Sequence, residues 1–182
     1  MPAPRELTTD RLLLRPPRIG DAEAVFERYA SDAEATRYVG FVRHASIEDT
    51  HQFIEHVLSE WSRDNPVAYL AFARDGGQLV GSAGVVFEIP TRAFTGYILA
   101  PDAWGRGLAT EMARSMVGVA FGFPQLRRLY ATCHVDNRAS ERVLSKAGLQ
   151  REGTLRRHSV FPNLGTSEPQ DIAMWARVRD AG

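Results

Sequence analysis

The chain has 182 residues, 22 Lys plus Arg against 22 Asp plus Glu, zero formal net charge, and 44% hydrophobic residues. That length and apolar fraction suit a single globular domain over residues 1–182, and the neutral balance leaves no global field for nucleic acid or an anionic membrane. One cysteine, Cys133, excludes an internal disulfide framework and fits a reducing cytoplasm, and neither a signal-peptide-like opening nor an apolar run near the roughly 18 residues of a membrane span is present.

In chain order, Arg11–Arg15 reads as a first strand ended by Pro16 and Pro17. Asp21 to Ala30 follows as a helix with Ala24, Val25, Phe26 and Tyr29 apolar, then a short helical piece near Glu34 to Tyr38. The longest helical signal opens with Ser46 and Asp49 as a capping box and carries Ile47, Phe53, Ile54, Val57, Leu58 and Trp61 as one stripe. Val67 to Ala73 reads as a strand, Asp75-Gly76-Gly77-Gln78 as a hairpin turn, and Leu79 to Phe87 as its return. Thr95 to Ala100 is the next strand, followed by a helix from Gly107 to about Phe121. Leu129 to Val135 is a strand and Asn137 to Ala147 a helix ended by Gly148. Leu149 to Arg157 and Asp171 to Val178 are the final strands, the second with Ile172, Met174, Ala176 and Val178 expected on one side. A loop over Pro162–Pro169 joins them. The order predicts an α/β domain with a mixed sheet of about seven strands and helices on both faces.

The segment Tyr97-Ile98-Leu99-Ala100-Pro101-Asp102-Ala103-Trp104-Gly105-Arg106-Gly107-Leu108-Ala109-Thr110-Glu111 is the most informative. A strand stops at proline, a glycine-bearing turn follows, and a helix begins. Free N–H groups at a helix start converge on an anion, and glycine lets the backbone come close, so this is a candidate pyrophosphate cradle. A triphosphate loop would need Gly-Lys-Ser/Thr, yet the only lysine is Lys146. A dinucleotide site would need a small residue at Thr110 and an acid near Tyr130-Ala131-Thr132.

The remaining Gly-x-Gly-x-Ala pattern resembles the coenzyme A loop of the GNAT acetyltransferase superfamily. Trp104, Gly107 and Ala109 fall on its Gln/Arg-x-x-Gly-x-Gly/Ala motif. An aromatic at Trp104 is similar to the branch of ribosomal-protein N-terminal acetyltransferases (RimJ/RimL-like). A second segment, from Cys133 to Leu149, resembles the family's Asn-x-x-Ser/Ala-x-x-Leu/Val motif through Asn137, Ser140, Val143, Gly148 and Leu149. Asn137 can both cap its helix and offer a donor and acceptor to an amide-rich arm. The element order resembles the GNAT fold from about residue 7 to 179, with a mostly antiparallel sheet.

The resemblance implies acetyl-coenzyme A as cosubstrate, bound by Leu99, Ala100, Trp104, Gly105, Arg106, Gly107, Leu108, Ala109, Thr110, Asn137 and Ser140. It implies a backbone N–H near Leu99 for the oxyanion, and direct transfer to an amine in a ternary complex. The family's tyrosine acid is replaced by Leu144, and in this branch a serine, here Ser140, is its substitute. Phe94 stands where the branch carries a glutamate, leaving Glu88 and His134 as candidate bases. No metal is implied, because the histidines lack ligand spacing. His44, Trp61, Phe87, Phe94 and His158 could line the acceptor site, near the loop before Val67. Arg156 and Arg157 could attract a carboxylate-bearing acceptor. The acceptor is expected to be a peptide N-terminal α-amine or a small-molecule amine, and a homodimer through the last strands is open. The alternative is a coenzyme A-binding sensor or interaction module without catalysis.

Overall fold

Short runs of apolar and β-branched residues separated by turns build the sheet. The computed structural model describes residues 3–63 and 68–179. Among these, the strands are β1 Leu7–Thr8, β2 Leu12–Arg15, β3 Tyr69–Ala73, β4 Leu79–Ile89, β5 Arg92–Leu99, β6 Arg128–His134, β7 Gln150–Ser159 and β8 Gln170–Val178. They form one sheet in the order β1-β2-β3-β4-β5-β6-β8-β7, antiparallel throughout except for the β5–β6 pair. The expected count of about seven is exceeded by β1, two residues paired to Leu13 and Leu14. Val67, expected to begin β3, lies outside the described residues.

The helices are α1 Ala22–Val25, α2 Ile47–Ser62, α3 Leu108–Phe121 and α4 Arg138–Lys146. Val25, Tyr29 and Ile54 pack with Leu70, Leu79 and Ile98 against one face of the sheet. On the other face Leu108, Met112 and Met116 of α3 meet Leu12, Leu14, Ala71 and Val85, and Leu144 of α4 joins the same core. Emptying any such fully buried leucine costs about 2–5 kcal/mol. The capping box at α2 is formed, with the Asp49 carboxylate accepting the N–H groups of Ser46 and Ala45.

Three expectations are corrected. The helix expected over 21–30 is composite: α1 runs into a wider π turn over Phe26–Ala30, marked by Ser31 N donating to Phe26 O at 3.1 Å. Glu34 to Tyr38 forms successive turns rather than a helical piece. The one-sided alternation of β8 fails, because Ile172, Ala173, Trp175 and Ala176 are all buried while Val178 is 55% exposed. As an interior strand between β6 and β7, β8 is covered on both faces.

One polar cluster ties the β1–β2 turn to the start of α3. Glu111 accepts from the Thr9 hydroxyl, from Arg11 N at 2.9 Å and from Arg11 Nε at 2.7 Å. Arg11 Nη1 also donates to Arg106 O at 2.7 Å, which holds the glycine loop from outside. Burial pushes the Glu111 carboxyl up, but the bonds from Thr9 and Arg11 outweigh it and leave it below the usual carboxylate range. A carboxyl depressed on folding stabilises above its unfolded value, and that stability is lost as pH falls through the folded value. Glu111→Gln should therefore destabilise the protein by about 1–3 kcal/mol at neutral pH. In urea unfolding the gap to wild type should close as pH falls below about 4; a gap of constant size would show that the carboxylate charge contributes nothing.

Candidate functional site

The site begins where two strands part. β5 and β6 are paired from Arg92 and Arg128 only as far as Phe94 and Tyr130. Beyond that β6 stays with β8 to His134, and β5 stays with β4 to Leu99. The sheet therefore opens into a wedge between Thr95–Leu99 and Ala131–His134. Ala100 N donates to Val80 O at 2.9 Å, so Ala100 faces β4. In an antiparallel ladder the next residue faces the other way, so Leu99 turns its N–H and C=O toward the wedge. The carbonyl accepts Trp104 Nε1 at 3.1 Å. The N–H is left aimed into the gap with no strand opposite.

Past Leu99 the chain turns through Pro101–Ala103 into Gly105 and Gly107, both left-handed at φ 72° and 79°. These values favour glycine, because a Cβ there crowds its own backbone. Gly107 is the N-cap of α3, so the N–H groups of Leu108, Ala109 and Thr110 have no intrahelical acceptor. Free N–H groups of this kind at a helix start suit an anion. The Leu108 side chain is buried, so only its backbone can serve. Ala100 has both backbone groups engaged, its carbonyl by Ala103 N at 3.0 Å. Arg106 stands exposed at the turn.

Across the wedge, Asn137 Oδ1 caps α4 by accepting Ser140 N at 3.1 Å. Its amide nitrogen has no hydrogen bond among the described residues, so the residue caps and still presents a donor. Tyr97 OH donates to Ser140 O at 3.4 Å and bridges the two strands' elements. Burial raises the Tyr97 pKa, so the phenol keeps its proton.

A cavity of about 580 Å³ passes through the wedge. On the α3–α4 side it is lined by Trp104, Ala109, Asn137, Ser140 and Leu144; on the α1–α2 side, by Tyr29, Glu34, Tyr38, Phe41, His44 and Phe53. The two ends give two ligands separate approaches to one point. Leu99, Trp104, Ala109, Asn137 and Ser140 share this lining, and the other expected loop residues adjoin it.

Of the acceptor-side residues expected, His44 and Phe94 line the cavity. Trp61 instead packs edge-on against Tyr69, Phe87 against Phe123, and His158 sits exposed with Nδ1 on the Ser159 hydroxyl. Glu88 lies outside the lining, its carboxylate holding Tyr130 OH and Arg92 Nε, each at 2.7 Å. Those bonds, the Tyr130 hydroxyl's first, keep its carboxyl below the usual range and make it a weak proton acceptor. His134 is buried outside the lining, stacked on Tyr38 with centroids 4.8 Å apart, and its Nδ1 accepts Asp136 N at 3.0 Å. Its strand neighbour Cys133 does reach the cavity, with burial pushing the thiol up to about 11. A thiol that stays protonated is a poor nucleophile.

Sequence reasoning missed Glu34 and Tyr38, and gave His44 no role beyond lining. They lie in turns before α2 that carry no motif, and only the fold brings them to the wedge. The His44 Nδ1 sits 2.8 Å from the Oγ1 of fully buried Thr50. Burial lowers the imidazole pKa despite the nearby Asp49 carboxylate, so the ring is neutral at neutral pH.

The chain matches the family model described as the acetyltransferase (GNAT) domain over residues 11–150. It is similar to the uncharacterized N-acetyltransferase YoaA of Bacillus subtilis (strain 168), 35% identical over 175 residues that cover 95% of this chain and 96% of the relative. Among solved structures it is similar to an acetyltransferase (GNAT family) from Bacillus anthracis, with a TM-score of 0.83, 26% identity, and coverage of 95% and 98%. The fold also matches RimL, a ribosomal alpha-N-protein acetyltransferase in complex with coenzyme A, at a TM-score of 0.83 with 20% identity over 97% and 98% of the two chains. The open wedge, the glycine loop and these likenesses converge: the chain belongs to the GNAT family of N-acetyltransferases.

Proposed function

We propose that the chain transfers an acetyl group from acetyl-coenzyme A to a primary amine, of a peptide N-terminus or a small molecule, by direct attack in a ternary complex. The observation that carries this reading is the unclaimed Leu99 N–H, aimed into a cavity open on both faces of the sheet. The residues present fit the cosubstrate: positive-φ glycines and free first-turn N–H groups suit a pyrophosphate, and Asn137 suits an amide arm. RimL, of like fold, is a coenzyme A complex. No group of three or more metal-ligating side chains occurs among the described residues, and the chemistry proposed needs none.

The bound thioester supplies the activated acetyl group. Leu99 N–H donates to its carbonyl oxygen, where charge gathers as the amine adds. His44 takes the proton that frees the amine's lone pair, directly or through one water, with Thr50 holding the ring. The new N–C bond forms, the C–S bond breaks with its electron pair on sulfur, and the amine's second proton passes to the thiolate. Ser140 assists that last transfer. The net change is an ammonium and a thioester giving an amide, a thiol and one released proton. Among the described residues no helix is long and apolar enough to cross a membrane. The reading puts the chain with the cytoplasmic pool of acetyl-coenzyme A, as one domain.

Calorimetric titration of Gly107→Val tests the cradle. Its affinity for acetyl-coenzyme A should fall at least about tenfold, with the circular-dichroism spectrum retained. Gly76→Val places the same side chain at a positive φ of 99° in a remote hairpin turn, and should leave affinity unchanged. Equal affinity in Gly107→Val and wild type would remove the loop from the site. In thiol-release assays, His44→Gln should lower kcat about 10- to 100-fold and Ser140→Ala about tenfold, both with little change in KM for acetyl-coenzyme A. Unchanged kcat in either variant assigns that side chain no chemistry, and binding without any turnover across amines would mark a module that only binds.

A further inference from the structure

The walls of the acceptor end define the chemistry of what enters it. No arginine or lysine is among the described residues lining the cavity, although the chain carries 22 basic residues. One acidic residue is: Glu34, exposed at the rim, whose backbone carbonyl accepts Arg37 N at 3.4 Å and whose carboxylate has no hydrogen bond or ion pair among the described residues. Its neighbour Arg37 lies over the Tyr38 ring, 5.3 Å from the centroid, and is absent from the lining. The Tyr29 hydroxyl lies buried behind the same wall, beside the Ser82 hydroxyl, and adds no charge to it. Apart from His44, Tyr38 and the hydroxyls of Ser82, Thr95 and Ser159, the rest is apolar and largely aromatic. Val39, Phe41, Phe53 and Phe94 line this end, and Phe41 and Val160 remain 40% and 47% exposed at its rim.

Such a wall discriminates by charge as well as shape. A carboxylate on the acceptor would face Glu34 with no cation to neutralise it, and would lose its hydration against aromatic rings. An ammonium gains a partner in Glu34, and an apolar body gains burial against the rings. We infer that the acceptor is a monocationic amine on an aromatic or apolar body with no carboxylate, an aryl-alkylamine, and that Glu34 docks its ammonium. This rests on the acetyl-transfer reading above. It sets aside the attraction of a carboxylate-bearing acceptor by Arg156 and Arg157, neither of which reaches the lining. Glu34 is a docking residue; the proton still leaves through His44 or water.

The test uses the full chain with acetyl-coenzyme A and three probes: phenethylamine, L-phenylalanine, which adds only a carboxylate, and ethanolamine, which lacks the apolar body. Phenethylamine should be acetylated with kcat/KM at least about tenfold above each of the other two. Glu34→Gln should raise KM for phenethylamine about fivefold, as expected for one partly exposed charge pair. Its KM for acetyl-coenzyme A should stay unchanged, and Glu34→Asp should recover part of the loss. Turnover of L-phenylalanine or ethanolamine as efficient as that of phenethylamine overturns the inference, as does an unchanged KM in Glu34→Gln. Calorimetry keeps the two readings apart. Failure to bind acetyl-coenzyme A defeats the acetyltransferase reading, whereas normal binding without preference for phenethylamine defeats only this one.

Discussion

The early end of the β5–β6 pairing is the constraint on which the rest of the molecule turns. Two parallel strands that stayed paired would consume the Leu99 N–H in a ladder bond and close the sheet. Here each strand keeps its other partner, β4 for β5 and β8 for β6, so the sheet stays continuous at its base and open at the far end of the two strands. An open edge inside a sheet leaves unpaired backbone groups that water or a ligand must satisfy. Trp104 satisfies part of this by donating its indole N–H to Leu99 O. The Leu99 N–H is the part left for chemistry.

The opening also explains how one small domain handles two substrates. α3 and α4 cover one face, α1 and α2 the other, and the wedge connects them through the plane of the sheet. On the proposed reading, an anionic, amide-rich donor would meet the glycine loop and Asn137 on one side. A cationic acceptor would meet Glu34 and aromatic rings on the other. The charges of the two ends differ as the charges of two such ligands do. The scaffold around them is held by polar anchors at the periphery: Glu111 to Arg11 behind the glycine loop, and Arg28 to Asp102 between the π turn and the turn after β5.

Legibility from sequence followed the range of the interactions involved. The glycine loop, the Asn137 cap and the Ser46–Asp49 box are local patterns of a few residues, and each is formed. β8 was misjudged because burial on both faces depends on neighbours far away in sequence. Glu88 is a candidate base by position alone, yet its partner Tyr130 comes from a distant strand, and the β4–β5 turn brings Arg92 onto it. His134 adjoins a cavity residue in sequence, but alternation along β6 sends Cys133 to the wedge and His134 against Tyr38 and Phe161. Glu34 and His44 carried no motif at all. Only the turns between α1 and α2 bring them to the lining of the cavity.

The most direct measurement is amide hydrogen exchange with and without acetyl-coenzyme A, read residue by residue. Ligand lying along the free edge of β5 should slow exchange at Leu99 and at Leu108, Ala109 and Thr110, while Ala100, already bonded to Val80, should change little. Binding that leaves the Leu99 amide exchanging at its free rate would contradict the central claim that the parted strands receive the acetyl donor.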